Sequence, residues 1–235
     1  MKKVILFIPL LCLLFVSCDS VKGEGPSVTE ERELTNFDKI EVNSFADIFY
    51  EQSDEFSVVI ETQANLMEYI ETKIEGTTLV IEQRNNTSLQ SDGGINIYIS
   101  CPNMSDMTIN GSGSITGQNK IVTSDLSCTI NGSGDFYFKN IIATHYWMNI
   151  NGSGDLEIDS GKIKNGEYGI NGSGDIHVSS VKTDNIEISI NGSGDAEVFA
   201  IKELDISIIG SGGVQYKGYP NLTIDITGSG DVEQM

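Results

Sequence analysis

The sequence Asn-Gly-Ser-Gly followed by Ser or Asp recurs at residues 110, 131, 151, 171 and 191, and degenerate copies begin at Ile209 and Thr227. Successive starts lie 21, 20, 20, 20, 18 and 18 residues apart. Repetition at so short a period restricts a chain to stacked-coil architectures, because one repeat is too small to bury its own apolar face. The stretches between the copies alternate apolar and polar residues, which with the glycine-rich turns excludes short helical repeats.

Alignment of the copies gives the pattern its physical content. The residue before each motif is Ile109, Ile130, Ile150, Ile170, Ile190, Ile208 and Ile226. Two residues earlier stand Met107, Cys128, Met148, Tyr168, Ile188, Ile206 and Ile224, and two earlier again Leu126, Tyr146, Ile186, Leu204 and Leu222, with Ser105 and Gly166 as exceptions. Beyond the turn the alternation resumes at Phe136 and Phe138, Leu156 and Ile158, Ile176 and Val178, Ala196 and Val198. A third apolar position near Ile141, Ile163, Val181 and Ile201 marks another short strand in each repeat. Three short strands per coil, each turning its apolar side chains inward, stack as rungs about 4.8 Å apart. The predicted fold is therefore all-β: a right-handed, single-stranded parallel β-helix (solenoid) with rungs of about 20 residues, since parallel crossovers are almost always right-handed.

Asn-Gly-Ser-Gly reads as the corner of that coil. Its glycines tolerate positive φ, and Asn110, Asn131, Asn151, Asn171 and Asn191 are placed to form a hydrogen-bonded ladder from rung to rung. Residues 101–235 are read as the regular repeats. Residues 35–100 lack the motif but contain strand patterns at 39–42, 47–51, 56–61, 78–82 and 95–100 and a short helix at 65–70; they are expected to cap the N-terminal end. No cap is visible after Thr227-Gly-Ser-Gly-Asp231, so a second subunit is expected to cover that end, making the protein a homo-oligomer.

The N-terminus gives an address. Residues 1–17 combine Lys2 and Lys3 with an apolar run from Val4 to Val16, which Pro9 interrupts and which is shorter than a membrane span. Leu14-Phe-Val-Ser-Cys18 resembles the bacterial lipobox, which implies removal of 1–17 and acylation of Cys18. Residues 18–34 are poor in large apolar side chains and are read as a flexible tether. Cleavage removes two lysines and no acid, leaving 12 basic against 34 acidic side chains, a net charge of −22. Such a surface repels nucleic acid, so carbohydrate, cations or proteins are the expected partners, beside the membrane reached through the lipid. Cys101 and Cys128 do not stack in the alignment and are expected to be buried free thiols rather than a bridge.

The lipobox, Phe37-Asp-Lys-Ile-Glu-Val42, Ala46-Asp-Ile-Phe49, Ile97-Tyr-Ile-Ser-Cys-Pro102 and the repeated Ile-Asn-Gly-Ser-Gly-Asp together resemble the head GIN domain family, described as a "putative auto-transporter adhesin". The resemblance spans roughly residues 35–235. It implies a right-handed β-helix on an exported bacterial lipoprotein of the cell envelope, on the outer membrane, with adhesion or ligand binding as its role. It supplies no active-site residues.

Several surface columns are candidate sites. Tyr137, Glu157, His177, Glu197, Gln215 and Glu233 fall outward on successive rungs; Glu157 and Glu197 would lie about 10 Å apart with His177 between them, near the carboxylate separation of inverting glycosidases. An open strand face excludes no water, however, and a Glu-His-Glu column is more often a solvated, charge-compensated surface. Asp135, Asp155, Asp175, Asp195 and Asp231 form a carboxylate column that requires solvent, amide partners or a cation. Calcium-binding solenoids place the aspartate one residue later and repeat at about half this period, so turn amides are the expected partners and no cofactor is assigned, calcium standing as the alternative metal. Lys162, Lys182 and Lys202 are read as a basic column that either binds an anion or guards an edge. Trp147 should point outward near Tyr137, suited to a subunit contact or to stacking on sugar, and His145 is read as structural. The expected function is non-catalytic adhesion or ligand binding to carbohydrate, protein or further copies. A polysaccharide-degrading enzyme using Glu157, His177 and Glu197, or a purely structural envelope protein, is the alternative.

Overall fold

The computed structural model describes residues 20–84 and 87–235. Residues 1–17 and Cys18, with the cleavage and lipidation expected there, lie outside the described residues. Strands β10 (Asp106–Gly111), β11 (Ser114–Gly132), β12 (Asp135–Gly152), β13 (Leu156–Ile158), β14 (Gly161–Gly172), β15 (Ile176–Gly192), β16 (Ala196–Gly210), β17 (Gly213–Lys217), β18 (Asn221–Gly228) and β19 (Asp231–Gln234) follow nine others. All of these repeat strands pair in parallel with neighbouring coils, so the chain is a parallel β-solenoid. Each long strand bends around the coil. In β12 the inward positions are Phe136 and Phe138, then Ile141 and Ala143, then Tyr146, Met148 and Ile150, and the two breaks in alternation are the corners between three faces.

The isoleucines stack in register: Ile109 on Ile130, then Ile150, Ile170, Ile190, Ile208 and Ile226. All but the last are fully buried. Where a core position lacks a side chain, a nearby aromatic ring fills the gap. Gly166 interrupts the Leu126–Tyr146–Ile186 column, and a Cβ there would lie 2.9 Å from the Tyr168 ring, which occupies the space. Gly117 makes room for Phe138 in the same way, at 2.6 Å.

The corners hold themselves together. Asn131 Nδ2 donates to Asn110 Oδ1 (2.8 Å), Asn151 to Asn131 (2.9 Å), Asn171 to Asn151 (3.1 Å) and Asn191 to Asn171 (3.2 Å). Asn110 extends the ladder to Asn43 Oδ1 at 2.7 Å. The ladder stops where Ile209 replaces the asparagine. Beneath it, the corner serine amides from Ser133 to Ser229 each donate to the glycine carbonyl one coil back, as Ser153 N does to Gly132 O at 2.9 Å.

Repeat length maps onto the corners. The 21-residue coil carries an irregularity between Gly117 and Lys120, and the 18-residue coil loses residues between the partners of His177 and Lys182. That deletion corrects two expectations. Ile201 was expected to face inward, yet Ala200 pairs with Thr183 and takes the interior place, leaving Ile201 40% exposed. Lys202 is displaced from the lysine column, because Phe199 stands opposite Lys182.

The N-terminal region winds out of sequence order. Its strands are β1 (Ser20–Lys22), β2 (Ser27–Glu31), β3 (Lys39–Asn43), β4 (Asp47–Gln52), β5 (Ser57–Gln63), β6 (Ile70–Glu75), β7 (Thr78–Gln83), β8 (Ser88–Gln90) and β9 (Asn96–Cys101). The β3–β4 coil is laid down first, yet it lies between the later β7–β9 coil and β10–β11. Antiparallel β5 and β2 extend the sheet beyond β9, and antiparallel β6 lies beyond β7. A 3₁₀ turn at Met67–Tyr69 replaces the expected short helix. The supposed tether is also corrected: within 18–34, Ser20–Lys22 pairs with β8 and Ser27–Glu31 with β5, backbone hydrogen bonding having ordered a segment with little apolar content.

Cys101 and Cys128 are free and buried. Burial pushes the Cys101 thiol from its ordinary 9.0 to about 11, and raises Cys128 and the phenols of Tyr146 and Tyr168 as well. The folded chain therefore keeps protons that the unfolded chain releases above pH 9, so the stability these buried groups contribute is fully present below pH 9 and is lost as pH rises from 9 through 11. The melting temperature should fall progressively from pH 9 upward; a profile flat to pH 11 would contradict titrating groups in the core.

Candidate functional site

The outward columns follow from strand alternation, and the pairing register places each residue. Tyr137, Glu157, His177, Glu197, Gln215 and Glu233 occupy one column on successive coils. His177 Nδ1 lies 3.6 Å from Glu197 Oε1, with side-chain exposures of 47% and 39%. Ser179 Oγ also donates to Glu197, at 3.3 Å, and Tyr137 donates its hydroxyl to Asp159. A hollow of about 240 Å³ opens beside His177 and Glu197, where Gly213 interrupts the aspartate column, but Glu157 does not line it. That hollow therefore takes in only one of the two carboxylates of the glycosidase reading.

The aspartates are engaged by backbone. Oδ1 of Asp135, Asp155 and Asp175 accepts from the amide of the next aspartate at 2.8 to 2.9 Å, and Asp195 Oδ1 accepts from Gly213 N at 2.7 Å. Among the described residues no group of three or more His, Cys, Asp or Glu side chains is disposed to hold a metal ion. Lys162 and Lys182 are stacked neighbours, and Lys182 Nζ sits 5.9 Å above the Phe199 ring. Lys202 instead meets Asp184 Oδ2 at 2.8 Å and holds that carboxyl below the usual carboxylate range through this hydrogen bond.

A third face carries a grouping that the columns above do not include. The half-exposed Trp147 stacks on His145, with ring centroids 5.5 Å apart and planes 24° from parallel. His145 Nδ1 lies 2.9 Å from Asp125 Oδ1 on the preceding coil. Trp147 does not join Tyr137: the two belong to different faces, separated by both corners of β12. Below Trp147 the same column continues with Glu167, Glu187, Asp205 and Thr223. Below His145 stand Asn165 and Asn185, joined by a 2.8 Å amide hydrogen bond, and then Glu203.

Glu167 and Glu187 form a ridge between two shallow hollows. One, of about 150 Å³, is lined by Trp147, Asn149, Gly169 and Ser189; the other, of about 310 Å³, runs from His145 past Asn165 and Asn185 to Glu203 and Asp205. Gly169 deepens the first, since a side chain there would meet Asn149 Oδ1 at 2.7 Å. An aromatic platform flanked by carboxylates and amides in open hollows can stack on a flat apolar face and accept hydrogen bonds from hydroxyl or ammonium groups. Nothing here positions a nucleophile beside a base.

A packed solenoid whose chemistry lies in water-facing columns is a surface-presenting repeat protein. The model of the family described as "Putative auto-transporter adhesin, head GIN domain" matches residues 36–220, and the chain belongs to that family. No curated protein matches the sequence. Among solved structures, a putative adhesin of Bacteroides fragilis superposes with a TM-score of 0.86 at 20% identity, over 92% of this chain and all of its own. A putative lipid binding protein of Parabacteroides distasonis gives 0.75 at 26% identity, over 92% of this chain and 100% of its own. A putative adhesin of Parabacteroides merdae gives 0.74 at 21% identity, over 92% and 99%.

Proposed function

We propose that the protein is a lipid-anchored, non-catalytic binding module of a bacterial cell envelope, on the outer membrane, that holds carbohydrate on the face carrying His145 and Trp147. The observation that supports this most is the stacked pair itself, placed at the head of two hollows rich in acceptors. Sugar rings offer C–H faces to aromatic planes and hydroxyls to carboxylates and amides, and both kinds of group are present within two coils. A net charge of −20 over the whole chain disfavours acidic glycans, which leaves neutral and amino sugars. Among the described residues no helix is long and apolar enough to cross a membrane. Attachment is assigned to acyl chains on Cys18, on the lipobox-like Leu14-Phe-Val-Ser-Cys18, each buried methylene adding about 0.8 kcal/mol. The lipid binding named for the Parabacteroides distasonis relative is not carried over, because side chains fill the solenoid interior here.

An array of neutral, amino-sugar and acidic glycans tests the reading. Binding to members of the first two classes is expected, weakened about tenfold or more by Trp147→Ala. A silent array, or binding untouched by Trp147→Ala, would remove the proposal. Glycan cleavage abolished by Glu157→Gln would establish the enzymatic alternative in its place.

A further inference from the structure

The two ends of the solenoid are built differently. At the C-terminal end β18 pairs with β16 along one edge, and the column residues it carries are open to water. Leu204, Ile206 and Ile208 in β16 are 0%, 3% and 0% exposed, whereas Leu222, Ile224 and Ile226, stacked on them one coil further, are 39%, 44% and 36% exposed. One apolar layer is therefore left uncovered beside a row of strand-edge amides and carbonyls, the arrangement that invites another strand. At the N-terminal end the antiparallel strands β2, β5 and β6 close the coils, the 3₁₀ turn buries Leu66 and Met67 nearby, and the outer strands carry Glu30, Glu31, Glu71, Lys73 and Glu75. A head-to-tail stack would find no matching parallel edge there. The surface that complements the C-terminal edge is the same edge of a second copy, which gives a closed two-fold dimer rather than a filament.

We infer that two copies join end to end by antiparallel pairing of β18 with β18 about a two-fold axis at Ile224. The axis runs perpendicular to this sheet, so inward side chains stay inward and the two cores become continuous. The register follows from the sequence. Centred on Ile224, Leu222 faces the partner's Ile226, Ile224 faces its own copy, and Thr223 lies opposite the partner's Asp225, where a hydroxyl can donate to a carboxylate. Centring on Asp225 would set two carboxylates directly opposite each other, which is destabilising, and centring on Thr223 would put Ile226 opposite Pro220. The spiral end fits the same axis. β19 stands one coil above β17 on one flank, while the segment from Gly218 to Pro220 leaves a step on the other, and the two-fold exchanges projection and step. Tyr219, 94% exposed, lies on that step.

This inference is independent of the carbohydrate reading. Sedimentation equilibrium of the full chain in density-matched detergent should give the mass of two chains for wild type and of one for Ile224→Lys. Oxidised Ile224→Cys should form a covalent dimer on a denaturing gel, and Thr116→Cys, on a side column, should not. A single-chain mass at every concentration, a ladder of larger species, or a dimer that survives Ile224→Lys without an Ile224→Cys cross-link would each overturn it.

Discussion

Alanine at Gly152 is expected to destabilise the fold by about 3 to 5 kcal/mol, at the severe end of single substitutions. Gly152 sits at φ +146, and an added Cβ would lie 1.9 Å from the carbonyl oxygen of Gly132 on the coil before. That oxygen also accepts the Ser153 amide at 2.9 Å, so it cannot retreat without breaking the corner. Gly76 separates backbone strain from collision: its φ is +66, yet nothing lies within 4 Å of the place a methyl group would take, so Gly76→Ala should cost only about 1 kcal/mol. Urea unfolding of both variants reads the difference. Equal costs would mean that the coils are not in contact at their glycine corners.

The second large effect concerns the column beneath those corners. Ile150 lies between Ile130 and Ile170, all three with no exposed surface, so Ile150→Ala should cost about 3 to 5 kcal/mol from lost burial and the cavity left behind. Ile209 follows the last buried isoleucine by one residue and is 56% exposed, so Ile209→Ala should change stability by less than about 0.5 kcal/mol. The contrast comes from position in the stack, since the residue type is the same. Denaturant midpoints for the two variants that coincide would contradict it.

The repeat half of the fold was legible because each coil writes the same rule. A glycine corner sets the register and period-2 alternation sets the face, so Ile109 to Ile226, the asparagine ladder and the Tyr137 to Glu233 column can be placed by alignment alone. Legibility failed where the period changed. Shortening to 18 residues takes residues out after Glu197, and residues counted from the motif, Ile201 and Lys202, slide out of place. The N-terminal half does not repeat, and its winding order, with β7–β9 outside β3–β4, depends on long-range pairing that local pattern does not encode. Strands β1 and β2 were missed because backbone pairing, not apolar content, orders them.

The candidate site was half legible. The alternation places Trp147 facing away from the core, as it is, but the expected columns leave out Glu167, Glu187 and Asp205, which share its column, and Asp125 behind His145. The alignment that reveals the Tyr137 column contains the Trp147 column too, one residue beyond each inward position of Tyr146, Gly166, Ile186 and Leu204. What alignment cannot give is depth. The hollows beside the Glu167–Glu187 ridge depend on the missing side chain at Gly169 and on where Asn149 turns.

Stacked coils make a distance prediction that no other arrangement of this chain shares. Thr116 and Gln215 are 99 residues apart in sequence but belong to one outward column, five coil spacings apart through Tyr137, Glu157, His177 and Glu197. Spin labels on Thr116→Cys and Gln215→Cys, diluted with unlabelled protein, should give a narrow pulsed electron–electron distance distribution centred near about 24 Å. A broad distribution, or a maximum far from that value, would contradict the stacking of these coils.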